Sequence, residues 1–266
     1  MSAIPPILLV GFGKMGGAML AGWRERGLEA AVAVDPSLPP SPGPEVTVVA
    51  DAAAIPAGFA PAAVVLAVKP QSAGEALPLY ARYAGSAVML SIMAGRTIGG
   101  LRGLLGERAA IVRAMPNTPA AVRQGITVAC AGPGVSAGQR ALCDDLLAAI
   151  GKVAWVEDEG LIDPVTAVSG GGPAYVFLLA ELLEQAAMEQ GIPADLARLM
   201  ARQTVAGSGA LLAASTEDAA TLRRNVTSPK GTTERALAVL MEKSAWPEAI
   251  SRAIAAATER SRELAG

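Results

Sequence analysis

The chain of 266 residues contains no histidine. That absence excludes a Ser-His-Asp triad, a histidine acid or base, and most zinc chemistry. Aromatic residues make up only 3% of a chain that is 52% hydrophobic, so burial has to rest on Ala, Val, Leu and Ile. There are two cysteines, Cys130 and Cys143; they have no metal-ligand spacing and build no framework, so free thiols are expected. A net charge of −2 leaves no basic footprint for nucleic acid, and no strongly charged tail is present. No basic segment precedes the apolar run Ile7–Val10, so a secretory signal is not expected. The longest charge-free runs, 52–68 and 164–180, are broken by Gly and Pro, which argues against a membrane span. A soluble cytoplasmic protein without a metal, nucleic-acid or membrane partner is the expectation, with room for one large or two modest domains.

What is present begins with β-branched runs at 7–10, 31–34, 46–49, 64–68, 87–92, 110–113, 126–130 and 153–156. Helical patterns lie between many of them, at 16–26, 73–83 and 136–150. Near-continuous apolar strands alternating with helices predict a parallel sheet covered on both faces, a doubly wound α/β domain over residues 1–158. Its first strand runs into Gly11-Phe12-Gly13-Lys14-Met15-Gly16, a G-x-G-x-x-G at a strand-to-helix turn. The three glycines would serve a tight turn, a close approach to a pyrophosphate, and close helix–strand packing. Asp35 stands at the end of the second strand, where an acid can take the ribose hydroxyls of an adenosine. No Arg or Lys occurs in Pro36-Ser37-Leu38-Pro39-Pro40 after it, so NADH is expected to be preferred over NADPH.

Two further strand ends look functional, because ligands of open α/β sheets sit outside the carboxyl ends of strands. Val68-Lys69-Pro70-Gln71 closes the fourth strand, and Met115-Pro116-Asn117-Thr118-Pro119 follows the sixth. Lys69 and Asn117 could reach a cofactor or anion there; a solvated lysine and a turn asparagine are the plainer readings.

After Gly160 strand patterns stop, and residues 159–266 read as an all-α domain. A helix is expected from 163 to 168, interrupted by Ser169-Gly170-Gly171-Gly172-Pro173, and a long one from 174 to 190. The long helix is apolar over a wide arc (Val176, Phe177, Leu178, Leu179, Leu182, Leu183), which predicts burial in a bundle or against a second subunit. Further helices follow at 195–214 and 247–264. So thin a domain is expected to dimerise. Between them lies Ser228-Pro229-Lys230-Gly231-Thr232-Thr233, a hydroxyl-rich loop at a helix N-terminus, where unpaired N–H groups favour an anion. The bland alternative is that Thr232 or Thr233 simply caps the helix.

With these pieces together the sequence resembles the pyrroline-5-carboxylate reductases over nearly its whole length. The resemblance rests on Gly11–Gly16 turn residues, on Ala67-Val68-Lys69-Pro70-Gln71, on Met115 to Pro119, and above all on the blocks 166–175 and 226–233. It implies a Rossmann-like domain followed by a helical dimerisation domain, and a homodimer that can build a ring of dimers. It also implies hydride transfer from NADH or NADPH to a cyclic imino acid, the last step of proline biosynthesis. Gly11, Phe12, Gly13, Lys14, Met15, Gly16, Asp35, Val68, Lys69, Pro70 and Asn117 are then the cofactor-binding candidates. Lys230, Gly231, Thr232 and Thr233 are the candidates for the substrate, with Thr233 and Ser228 in catalytic roles.

The chain departs from the family pattern at Gly171, where serine is usual, and at Lys230, where glycine is usual. The chemistry is consistent with the residues themselves. Backbone N–H groups of Gly231, Thr232 and Thr233 can hold a carboxylate, and the Thr233 hydroxyl can hydrogen-bond the imine nitrogen. An imine protonates far more readily than a ketone, so no histidine is needed. Two rivals remain open at this stage. A reductase of the 3-hydroxyacid dehydrogenase type would place a lysine in the first helix of the second domain, but no lysine lies between Leu161 and Gly191. A non-catalytic dinucleotide-binding protein would bind without turnover.

Overall fold

In a computed structural model the described residues are 3–265. The chain runs β1 (Ile7–Val10), α1 (Lys14–Glu25), β2 (Ala31–Val34), β3 (Val46–Val49), β4 (Ala63–Leu66), α2 (Ala73–Ala76), β5 (Val88–Ser91), α3 (Ile98–Leu105), β6 (Ile111–Met115), β7 (Gly125–Ala131), α4 (Ala137–Ala148) and β8 (Gly151–Val156). The helical pattern expected over 73–83 is split: α2 gives way to a 3₁₀ turn over Leu77–Tyr83. Pro78 lacks the N–H that would continue the α-helical ladder, which accounts for the change of pitch.

One eight-stranded sheet results, in the order β3-β2-β1-β4-β5-β6-β7-β8. Strand order reverses beside β1, where β2 lies on one side and β4 on the other, both parallel to it. The expectation of an all-parallel sheet is corrected at β7, which runs antiparallel to β6. Only residues 116–124 connect the two strands, and the regular structure among them is the short 3₁₀ segment Thr118–Val122. A parallel crossover needs a dozen or more residues, so the chain can only turn back.

Strand side chains alternate between two apolar layers. Leu8, Val10, Val32, Val34, Val64 and Leu66 face one, together with Leu77, Tyr80, Ile98 and Leu101 from the helices covering it. Ile7, Leu9, Ala31, Ala33, Ala63 and Val65 face the other, under Met19 and Trp23 of α1 and Leu146 and Leu147 of α4. Trp23 is fully buried, and its indole N–H donates to Leu146 O at 2.9 Å, so the largest core side chain leaves no polar atom unpaired.

The chain continues with α5 (Ile162–Val165), α6 (Gly172–Glu189), α7 (Ala194–Ala214), α8 (Ala219–Asn225), α9 (Thr232–Leu240) and α10 (Trp246–Ala265). The glycine run breaks the helix at a single residue: Gly171 is a bend and the N-cap of α6. A π-turn over Thr166–Gly170 carries α5 towards α6, with Thr166 and Ser169 hydroxyls donating to Ile162 O and Val165 O at 2.7 and 3.0 Å. Such hydroxyl back-bonding accompanies the wider π pitch that precedes the bend at Gly171.

By packing, the chain divides into one unit of Met1–Gly170 with Ala257–Gly266 and a second of Gly171–Ala256. In the first unit Arg113 of β6 is buried and bonds Glu159 at 2.9 Å, with Asp163 at 3.6 Å; Asp163 in turn accepts from Ser261 of α10 at 2.8 Å. Two carboxylates thus compensate one buried guanidinium, and the last turns of the chain are anchored by the same group.

The second unit lacks a core of its own. Among the described residues of α6 and α7, only Ala197 and Ala201 are buried, while Phe177 is 66% and Leu199 63% exposed. The helical run Glu159–Glu189 is long and apolar enough to cross a membrane by length and composition alone, with a mean hydropathy of 1.3.

Candidate functional site

The glycine turn has the geometry its spacing predicts. Gly11 has φ 98°, and a Cβ there would come within 2.7 Å of Ala67 O, so a side chain is excluded both by backbone conformation and by space. Gly16 packs α1 against the turn: a Cβ would lie 2.4 Å from Gly11 O. Gly13 differs from both, since a Cβ there would meet nothing within 4 Å. It is the N-cap of α1 and offers no side chain to satisfy the first N–H groups of that helix. An open approach to uncapped N–H groups at the positive end of a helix of 12 residues is what a pyrophosphate requires. The residues present therefore fit a dinucleotide. Lys14 is exposed beside the opening, and Phe12 and Met15 are partly buried against the core layer under α1.

Asp35 is tied to the turn. Its Oδ2 accepts the Phe12 N–H at 2.9 Å, while Oδ1 accepts the Ser37 N–H at 2.9 Å and the Ser37 hydroxyl at 2.6 Å. The Ser37 hydroxyl first, with help from the Ser37 and Phe12 N–H groups, holds the Asp35 carboxyl below its ordinary range against the opposing effect of burial. A carboxylate has about four acceptor positions, so one remains for a ribose hydroxyl.

Asp35 lines a cavity of about 390 Å³ at the ends of β1, β2, β3 and β4, together with Gly11, Gly13, Val68, Lys69 and Asp51. Lys69 is exposed and stands directly before a 3₁₀ turn opened by Pro70. Pro70 O accepts two bonds from Arg96, at 3.1 and 2.6 Å, which pins this strand end. Val68 packs against the core layer beneath. Six of the expected cofactor residues, Gly11, Gly13, Asp35, Val68, Lys69 and the neighbouring Pro70, are thus gathered at one edge of the sheet.

Asn117 does something else. It is 9% exposed; its amide NH₂ donates to Ser169 O at 3.1 Å and its carbonyl accepts from Ile126 N at 3.0 Å. It braces the Pro116–Pro119 bend against the π-turn and the start of β7.

In the second unit the hydroxyl-rich loop opens α9. Gly231, not a threonine, is the N-cap, and no side chain caps the helix. The Gly231 N–H donates to Ser228 O at 3.0 Å, closing a turn with Pro229 second and Lys230, at φ 59°, third. That is the φ pattern of a type II turn, whose third position favours glycine. Lys230 N–H donates to Glu234 Oε2 at 2.8 Å, which ties the turn to the first turn of α9. A Cβ on Gly231 would stand 3.0 Å from Ser228 O. Ser228 and Thr232 are exposed and Thr233 is half-buried at the second helical position. The first backbone N–H groups of α9, two hydroxyls and the Lys230 ammonium together suit a small carboxylate.

Sequence reasoning did not reach Asp51, Ser72, Leu79 or Tyr80, which also line the cavity. Asp51 could have been found, since it follows β3 as Asp35 follows β2. Tyr80 carries no comparable signal: a tyrosine in an apolar run reads as core, and its ring is core.

Comparison with known proteins adds the following. The family described as pyrroline-5-carboxylate reductase dimerisation matches residues 159–264. A pyrroline-5-carboxylate reductase of Pseudomonas aeruginosa is 37% identical over 98% of this chain and 97% of its own length. Among solved structures, a pyrroline-5-carboxylate reductase from Coxiella burnetii superposes with a TM-score of 0.87 at 32% identity, covering 98% of both chains. A Plasmodium falciparum pyrroline carboxylate reductase with NADP bound superposes with a TM-score of 0.81 at 28% identity, covering 98% of this chain and 99% of that one.

Proposed function

The chain belongs to the pyrroline-5-carboxylate reductase family, and from that membership we propose which of its residues carry the reaction. The reaction is the NAD(P)H-dependent reduction of the cyclic imine of 1-pyrroline-5-carboxylate to L-proline, in proline biosynthesis. The 3-hydroxyacid dehydrogenase and non-catalytic alternatives are set aside by that family membership.

Gly11 to Gly16 and the uncapped N-terminus of α1 would hold the pyrophosphate of the dinucleotide and Asp35 its adenosine ribose; the reduced nicotinamide would supply the hydride. The substrate carboxylate is held by the backbone N–H groups of Gly231, Thr232 and Thr233, with the Lys230 ammonium adding charge of the right sign. The Thr233 hydroxyl hydrogen-bonds the ring nitrogen and keeps its proton in place while the adjacent carbon becomes saturated. Ser228 adds a second hydroxyl at the same turn. The observation that carries this reading is the start of α9: a helix of 9 residues opened by a glycine, with no side-chain cap and a cation beside it. The test is oxidation of NADH on adding 1-pyrroline-5-carboxylate with a keto acid as control. Equal turnover of the two would overturn the assignment of an imine-specific site.

The finer cofactor reading is a preference for NADH. Asp35 and Asp51 both line the cavity, and Lys69 is the one cation among the described residues that line it. A 2′-phosphate would meet a carboxylate that already has its charge fixed by three hydrogen bonds. Comparing kcat/KM for NADH and NADPH decides this, and a tenfold advantage for NADPH would refute it.

The protein is a homo-oligomer. Its dimer is formed through the exposed apolar faces of α6 and α7, with a ring of dimers as the further assembly and the cytoplasm as its place of work. Charge content of 17% with apolar helices this exposed favours a protein partner over water for those faces. Residues 159–266 act as the substrate and dimerisation domain, and residues 1–158 as the dinucleotide domain.

A further inference from the structure

Arg113 has no task in the reading above. It lies on β6, 2% exposed, in the unit that carries the dinucleotide residues. Its Nη1 donates to Glu159 Oε1 at 2.9 Å, and the same oxygen accepts the Ile98 N–H of α3 at 2.7 Å. Its Nη2 stands 3.6 Å from Asp163 Oδ1, which accepts the Ser261 hydroxyl of α10 at 2.8 Å. Its Nε is buried without a hydrogen-bond partner among the described residues. One ion pair is thus longer than a hydrogen bond and one donor is unpaired, which makes the cluster a weak source of stability. What it does is join β6, α3, α5 and α10 to one guanidinium.

The places of those elements in the chain give the cluster its meaning. The polypeptide leaves this unit after Gly170 and returns to it at Ala257. On the outgoing side Arg113 holds Glu159 and Asp163, and the Asn117 amide donates to Ser169 O at 3.1 Å. Met115 closes on Gly170, where a Cβ would stand 2.7 Å from the methionine Cε. On the returning side Ser261 bonds Asp163, and Leu264 packs on Gly95, where a Cβ would stand 3.0 Å from the Leu264 Cβ. Both crossings are therefore fastened through Asp163 to Arg113. The substrate turn, Ser228 to Thr233, belongs to the 171–256 segment that the two crossings bound. We propose that Arg113 is a positioning residue for hydride transfer: by fixing both ends of that segment, through Glu159 and Asp163, it sets where the substrate turn is carried. A misplacement on the order of 1 Å costs about a hundredfold in rate. Fastening of this kind acts on the chemical step and not on dinucleotide affinity.

This inference rests on the substrate turn assigned above. The test is a variant that removes the charges and keeps the hydrogen bonds: Arg113→Met with Glu159→Gln and Asp163→Asn, whose side-chain carbonyls still accept from Ile98 and Ser261. Replacing a buried ion cluster in this way is often neutral for stability, so the variant should melt near the wild-type temperature. Calorimetry should return the wild-type dissociation constant for NAD+. In single turnovers of bound NADH with saturating 1-pyrroline-5-carboxylate, the rate constant should fall about tenfold to a hundredfold with the amplitude retained. A merely structural role would do the reverse, lowering the amplitude through loss of folded enzyme and sparing the rate constant. An unchanged rate constant, or weakened NAD+ binding, would overturn the proposal. Should the triple variant not fold, Ser261→Ala decides, since it keeps every charge and frees only the returning crossing. It is expected to slow the same step by about threefold to tenfold, and a wild-type rate constant would overturn the proposal. A wild type that binds NADH yet leaves 1-pyrroline-5-carboxylate unreduced would overturn the reading of the substrate turn, and the proposal with it.

Discussion

The carboxylate of Asp35 accepts the Phe12 N–H at 2.9 Å, so the end of β2 and the glycine turn after β1 are held by one hydrogen bond. Asp35 therefore shapes the turn as well as offering a group to the ribose. Its carboxyl lies below the ordinary aspartate range, chiefly through Ser37. A depressed folded-state pKa means that its stabilising contribution is complete above the unfolded-state pKa and is lost as pH falls through the folded one. Urea unfolding of the wild type and Asp35→Asn should differ most at neutral pH and converge below about pH 4, near the ordinary aspartate value. A gap that stays constant down to strong acid would show that the charge of Asp35 has no part in holding the turn.

Thr233→Ala removes the hydroxyl assigned to the ring nitrogen but no backbone N–H. It should lower kcat about tenfold to a hundredfold, the low end for a lost acid–base or polarising group. KM for 1-pyrroline-5-carboxylate should change little. Steady-state rates read both constants, and a variant with wild-type kcat removes Thr233 from the reaction.

Lys230 holds φ 59° at a turn position where glycine is at ease. Lys230→Gly should relieve about 1 kcal/mol of left-handed strain, while taking away a charge near the carboxylate grip. The expected variant is more resistant to urea yet has a raised KM with kcat near wild type. Loss of stability on substitution would mean that the Lys230 side chain contributes contacts that outweigh its backbone strain.

Phe177 is 66% exposed in the single subunit, so a charge there costs little through burial in its own chain. Phe177→Glu should leave the helices formed, by circular dichroism, but shift sedimentation from dimer to monomer. A dimer of wild-type stability in that variant would place the interface elsewhere.

Much of this architecture can be read in the sequence, for reasons visible at particular residues. Strands such as 31–34 and 63–66 are short apolar runs buried on both faces, and such runs have few alternatives. The direction of β7 was not legible in its composition, because alternation is the same in either direction; the shortness of the 116–124 connection carries that information. The π-turn over Thr166–Gly170 was also hidden. Glycine punctuates at Gly171, while the Thr166 and Ser169 back-bonds just before it show only in the folded chain. At the site, Gly11 to Gly16 and Asp35 announce themselves by spacing within a single βαβ unit. Asp51 follows β3 as Asp35 follows β2 and could have been read the same way, whereas Tyr80 could not, since it takes the folded sheet to bring the turn after α2 to this cavity. Asn117 was legible as important, but its bracing of Ser169 and Ile126 is a long-range fact.

The central claim is that the start of α9 grips the substrate's carboxylate, and one comparison tests it most directly. The wild type and Gly231→Val are assayed with 1-pyrroline-5-carboxylate and with 1-pyrroline, the same ring without the carboxylate. A Cβ at residue 231 would crowd Ser228 O at 3.0 Å, at the helix start to which the carboxylate is assigned. The wild type should favour the carboxylated ring by about a hundredfold or more in kcat/KM, the worth of a charge-assisted anion site. In Gly231→Val that preference should fall to within a few-fold of unity, with turnover of 1-pyrroline largely retained. A variant that keeps the wild-type preference would contradict the account, because the carboxylate would then be held by some other part of the protein.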